Sequence, residues 1–99
     1  YSNIIKVELH PPDKFVLNQN YPNPFNPTTK IKFAIPKESF VNLSLFNAVG
    51  ELISTLVAEQ MKPGFYEYEY DGSNLPSGVY LYKIKSGNYF NAKKMILLK

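Results

Sequence analysis

The chain contains no cysteine, no tryptophan and no arginine, and only one histidine. Without cysteine there is no disulfide framework, zinc ribbon or catalytic thiol, so the fold must rest wholly on its core. Without arginine the bidentate guanidinium fork that reads phosphates and base edges is missing, and lysine does not imitate it. The cationic residues are scattered lysines, among them Lys6, Lys14, Lys30, Lys37, Lys62, Lys83 and Lys93. They read as solvated strand faces, and despite a net charge of +3 no nucleic-acid partner is expected. The lone His10 lies in a proline-broken stretch, with no cysteine or second histidine to complete a metal site or a Ser/His/Asp set. No apolar run approaches the ~20 residues that span a bilayer, so no membrane insertion is expected. The opening residues show no signal-peptide pattern; an exported chain would take its entry signal from an upstream segment. There is no glycine-rich phosphate cradle. No cofactor, no metal and no catalytic residue are assigned, and the domain is not expected to be an enzyme.

What is present fits one domain. At 99 residues, 44% hydrophobic and 19% charged, the chain has a globular profile. Its aromatics are all Tyr and Phe, and eight prolines with five glycines favour short strands separated by turns. Residues 1–14 differ from the rest. Ile4, Val7 and Leu9 alternate weakly before His10-Pro11-Pro12-Asp13 breaks any ladder, so this stretch is expected to be a linker or the tail of an upstream domain. The domain proper is expected over 15–99.

From Phe15 the chain reads as strands. Phe15 to Tyr21 is a short one. Tyr21-Pro22-Asn23-Pro24-Phe25-Asn26-Pro27 then fits neither a helix nor a central strand, and should form a rigid loop with Tyr21 and Phe25 as anchors. Period-two alternation follows. Ile31, Phe33 and Ile35 share one face, and Val41, Leu43 and Leu45 share the next, with Asn42 and Ser44 opposite. Asn47-Ala48-Val49-Gly50 is a hairpin turn with Gly50 at positive φ. In Glu51 to Gln60 the doublets Leu52-Ile53 and Leu56-Val57 would also suit a helical turn, but the β context favours a strand. After the Lys62-Pro63-Gly64 turn, Tyr66, Tyr68 and Tyr70 alternate with Glu67 and Glu69. Tyr80, Tyr82 and Ile84 form the buried set of the next strand; Gly87-Asn88 turns the chain into the last, from Tyr89 to about Leu98. About seven antiparallel strands at such spacing predict an all-β, immunoglobulin-like β-sandwich.

Three features could carry binding instead of packing. Glu67, Glu69 and Asp71 share a strand face, where cross-sheet lysines are the expected partners. Asp71-Gly72-Ser73-Asn74 gathers oxygens as a calcium loop would, and Asn42-Leu43-Ser44 matches the glycosylation sequon. The stripe of Tyr66, Tyr68 and Tyr70 could stack on sugars, as in an accessory carbohydrate-binding or fibronectin-like module appended to a secreted hydrolase. Core packing is the favoured reading, since the opposite face is polar.

The run Leu17-Asn18-Gln19-Asn20-Tyr21-Pro22-Asn23-Pro24-Phe25-Asn26-Pro27-Thr28-Thr29 closely resembles the opening of the type A C-terminal sorting domain of the type IX secretion system. The resemblance continues in order through Ile31–Pro36, Val41–Asn47 with Gly50, Pro63-Gly64, Leu75–Tyr82 and the ending Ala92–Lys99, covering about residues 15–99. Tyr70-Asp71 stands where many members carry a tryptophan-aspartate pair, a change of similar buried volume. Flagellar hook-capping immunoglobulin-like domains share much of the later pattern. The resemblance implies a domain recognised by the outer-membrane type IX translocon and removed from its cargo by a sortase-like peptidase. Cleavage would fall within residues 1–14, and the location would be the periplasm in transit, then the cell surface or the medium. A monomer is expected. The recognition residues expected from the box are Pro22, Asn23, Pro24, Phe25, Asn26 and Pro27. The late motif adds Gly78, Val79 and Tyr80, and the terminal strand Lys93, Lys94, Met95, Leu97 and Lys99. The alternative role for the box is simply to close one end of the sandwich.

Overall fold

Alternation of apolar with charged or polar residues drives the strands, and every ladder between them is antiparallel. The computed structural model describes residues 12–99 and the backbone of Ile4–Val7. It contains β1 (Ile4–Val7), β2 (Val16–Leu17), β3 (Thr28–Ile35), β4 (Ser39–Asn47), β5 (Leu52–Met61), β6 (Gly64–Asp71), β7 (Gly78–Ser86) and β8 (Tyr89–Leu97). Sheet A has the order β1-β6-β3-β2 and sheet B the order β5-β4-β7-β8. This is an immunoglobulin-like β-sandwich, with seven strands from β2 onward. The chain changes sheet between β3 and β4, between β5 and β6 and again between β6 and β7, which places the apolar faces against each other.

The core lies between the sheets. Sheet A contributes Ile31, Phe33, Tyr66 and Tyr68; sheet B contributes Leu43, Leu45, Tyr82, Ile84, Met95 and Leu97. Phe33 stacks on Tyr66 at 5.5 Å, and Phe15 on Tyr89 at 5.1 Å. A buried tyrosine needs a partner for its hydroxyl. Tyr66 donates to the Lys62 carbonyl and Tyr80 to the Pro76 carbonyl, each at 2.6 Å and four residues upstream. The tyrosine stripe therefore faces inward, and the sugar platform considered from the sequence has no exposed ring stripe to stand on. Lys30 and Lys32 reach across to Glu67 at 3.5 and 4.0 Å, the cross-sheet pairing expected of that face.

β5 is a strand throughout, and its irregular doublets have a structural cause. Leu43 pairs with Val57 but Ser44 with Thr55, and Leu45 pairs with Ser54 but Phe46 with Leu52. Two bulges thus absorb Leu56 and Ile53. The first lets the adjacent Leu56 and Val57 both enter the core, at 2% and 0% exposure. The turn into β5 holds Gly50 at φ 91°, and the Gly87-Asn88 turn has Gly87 at φ 60°, as hairpin geometry requires.

Ile4–Val7 lies within the stretch expected to be a linker or the tail of an upstream domain. It pairs along β6 in the register Ile4 with Tyr68 to Val7 with Phe65, adding an edge strand to sheet A. His10 lies outside the described residues.

Candidate functional site

Three segments distant in sequence meet at one end of the sandwich: the proline box, the loop before β7 and the end of β8. Strand β8 is the last of sheet B, so its outer edge offers unpaired backbone groups. The box occupies that edge. The Phe25 N–H donates to the Ile96 carbonyl at 2.9 Å, and the Leu98 N–H donates to the Phe25 carbonyl at 3.0 Å. The Ile96 N–H donates to Asn23 Oδ1 at 2.9 Å, and Gln19 Nε2 donates to the Lys94 carbonyl at 2.6 Å. Phe25 and Leu97 form a parallel bridge there, so the box behaves as a fragment of a further strand. The late loop joins it: the Gly72 N–H donates to the Pro27 carbonyl at 2.8 Å. Lys99 is tied to the same loop, its N–H to Ser77 Oγ at 2.9 Å and its Nζ to the Ser73 carbonyl at 2.5 Å.

The expected recognition residues divide by exposure. Pro22, Asn23, Pro24 and Asn26 are exposed on the box, as are Val79, Lys94 and Lys99; Pro27, Gly78 and Lys93 are half-buried. Phe25, Tyr80, Met95 and Leu97 are buried and fix the others in place. Only one of the two anchors expected in the box acts as one. Phe25 is 1% exposed, whereas Tyr21 is 80% exposed and contributes its backbone, which exchanges two hydrogen bonds with Lys30. A loop has no period from which to read the direction of its side chains. The Phe25 ring fits closely: a Cβ on Gly72 would come within 3.2 Å of Phe25 Cε2 and 3.3 Å of Leu97 Cδ2. The Tyr21-Pro22, Asn23-Pro24 and Asn26-Pro27 peptide bonds are cis.

Beneath the box lies a buried polar network that sequence reading did not find. Asn20 is 2% exposed and Thr29 1%. Asn20 Nδ2 donates to Thr29 Oγ1 at 3.0 Å and to the Pro22 carbonyl at 3.2 Å, and the Thr29 hydroxyl donates to the same carbonyl at 2.9 Å. The Asn20 N–H donates to Tyr82 Oη at 2.7 Å, and Tyr82 Oη donates in turn to the Asn18 carbonyl at 2.7 Å. Every member is satisfied, the condition under which a buried network specifies one conformation. The available signal was Asn20, a polar residue amid strand and box residues. Its partner Tyr82 stands 62 residues away.

Burial pushes the Tyr82 phenol up to about 12, with the Asn20 N–H opposing that rise. A raised phenol favours the folded state fully below the ordinary tyrosine value near 10, and that contribution disappears as pH rises through about 12. Two pH units correspond to roughly 2–3 kcal/mol. Urea midpoints should therefore hold steady up to about pH 9.5 and fall between pH 10 and 12. Tyr82→Phe should start lower at pH 8 and lose most of that alkaline slope; an unchanged slope would place its origin elsewhere.

Among the described residues no three His, Cys, Asp or Glu gather as a metal site. In the loop considered for calcium, Asp71 Oδ1 accepts from the Ser73 N–H at 2.9 Å and from the Ser73 hydroxyl, and these bonds lower the carboxyl below its ordinary value. Two shallow grooves flank Tyr21, one lined by Asn18, Gln19, Lys32 and Glu67, the other by Pro22, Thr28, Thr29 and Glu69. Neither holds a histidine.

The molecule is thus an immunoglobulin-like β-sandwich whose distinctive feature is a proline-asparagine box laid along the edge of its last strand. Residues 19–98 match the family model described as the secretion system C-terminal sorting domain, and the chain belongs to this family of type IX secretion sorting domains. No curated protein matches the chain.

Proposed function

We propose that this domain is the export address of a larger secreted protein, read by the outer-membrane type IX translocon and then removed by a sortase-like peptidase. The observation that carries this reading is the union of the box, the late loop and β8 in one hydrogen-bonded surface, with the exposed Pro22, Asn23, Pro24 and Asn26 held by the buried Phe25. Proline restricts the backbone before docking, so less entropy is lost when a partner binds. Removal by the peptidase falls within residues 1–14. There Ile4–Val7 must leave β6 before it can enter a protease cleft, because its backbone is paired. The cargo travels through the periplasm to the cell surface or the medium, and the domain acts as a monomer.

The test is a fluorescent reporter, with a periplasmic signal peptide, fused ahead of the chain in a bacterium that carries type IX machinery. Removing Lys94–Lys99 should leave the reporter in the periplasm. Because that deletion also takes Met95 and Leu97 from the core, Asn26→Ala, at an exposed position of the box, supplies the second arm. It should keep its melting temperature within a few degrees yet lower surface delivery severalfold. Normal delivery of the truncated chain refutes the reading.

A further inference from the structure

The two outer faces of the sandwich carry charge differently. On sheet A, Lys32 and Lys30 of β3 stand opposite Glu67 and Glu69 of β6, so that face is internally balanced. On sheet B, alternation with the buried Tyr80, Tyr82, Met95 and Leu97 turns Val79, Leu81, Lys83 and Lys85 of β7 outward, with Lys94 and Ile96 of β8. The ladder pairs on this outer face, among the described residues, hold three lysines and no carboxylate. Glu51 lies at its corner, where its carboxylate accepts from Asn47 Nδ2 at 2.7 Å.

The centre of the face is apolar. Phe46 pairs with Leu52 on one side and Leu81 on the other, and Val79 pairs with Ile96 in the adjoining row. Leu52 is 59% and Val79 40% exposed. Lysines rim this patch: Lys83 Nζ sits 4.5 Å from the Phe46 ring centroid, and Lys94 faces Leu81. An apolar centre with a charged rim is the make-up of a protein interface.

We propose that the outer face of sheet B, centred on Leu81, docks a partner protein surface with an apolar centre and Asp or Glu side chains at its edge. Charge selects this occupant. A second copy would set lysines against lysines across a two-fold axis. Three lysines also fall short of the clusters of about 4–8 that hold a segment to an anionic bilayer. The proposal deepens the sorting reading, on which it rests for the partner's place in export. It adds the sheet face to the box.

The experiment uses the reporter fusion with Lys83→Glu and Lys94→Glu together. Lys14→Glu with Lys37→Glu is the control, since both positions are exposed and the change in net charge is the same. A photo-crosslinking residue at Ala92, directly opposite Lys83, reports contact. Expected are unchanged melting temperatures, an on the order of tenfold loss of delivery in the face variant alone, and a crosslinked partner peptide rich in Asp and Glu that the face variant no longer captures. Equal delivery and equal crosslinking by both variants would overturn the proposal. So would sedimentation of the chain with phosphatidylserine vesicles that depends on Lys83 and Lys94, which would make the face a membrane contact. If the wild-type fusion itself stays in the periplasm, the sorting reading falls while the crosslink still judges the face. An acidic partner peptide then sustains the docking surface, and its absence removes it.

Discussion

Replacing Phe25 by alanine should lower the stability of the domain by about 3–5 kcal/mol, the usual range for emptying a buried phenylalanine site. Its ring is buried to 1% and lies against Leu97 and Gly72, where the neighbours have little freedom to close the gap. A domain of this size has only about 5–15 kcal/mol in total, and each kcal/mol shifts its melting temperature by roughly 4–8 °C. The expected fall is therefore roughly 12–40 °C by thermal denaturation. Phe25→Leu should recover more than half of it, because most of the volume returns. The backbone bonds from residue 25 to Ile96 and Leu98 survive either substitution, so the loss measures the side chain. A shift under about 3 °C would mean that the ring contributes nothing to holding the box on β8.

The second large effect is expected at Asn20. Its amide nitrogen donates to two oxygens, Thr29 Oγ1 and the Pro22 carbonyl, while its Oδ1 accepts from Gln19 Nε2 at 2.7 Å. Asn20→Ala removes both donations, although the Pro22 carbonyl keeps the Thr29 hydroxyl, and two lost hydrogen bonds cost about 1–3 kcal/mol. Asn20→Asp is more informative, because an ionised carboxyl cannot donate and would face two oxygens in a buried site. Burial raises such a carboxyl, so the folded state of this variant is favoured below the ordinary aspartate value of ~3.9 and loses that advantage as pH rises. Relative to wild type, Asn20→Asp should thus be less destabilised near pH 4 than at pH 7. Urea unfolding at both values checks this; a penalty independent of pH would mean that the side chain at position 20 turns out to solvent.

Much of the fold was legible because a sheet with one buried face writes itself as alternation. Ile31, Phe33 and Ile35 against Lys30 and Lys32, or Tyr80, Tyr82 and Ile84 against Lys83 and Lys85, leave no choice of face. Legibility failed where the period breaks for a local reason. The bulges at Ile53 and Leu56 put neighbouring apolar residues on unexpected sides, which made a strand look partly helical. Ile4–Val7 is too short to show a convincing period, and the prolines at 11 and 12 argued for a linker. The outlook for the site was similar. Its residue types stood out in sequence, but proline-fixed loops carry no rule for which ring turns inward, so Tyr21 and Phe25 could not be told apart. The link from Asn20 to Tyr82 joins residues 62 positions apart in the chain and has no sequence signature at all.

The zipping of the box onto β8 has a consequence for synthesis. A ribosome delivers Asn23 and Phe25 some seventy residues before Ile96 and Leu98, the groups that hold them. Until those last residues emerge, the box has no strand to lie along and Phe25 no Leu97 to lean on. A product that stops short of β8 would carry every residue of the box and lack the strand edge that shapes it, so the box takes its form only after that strand has been made.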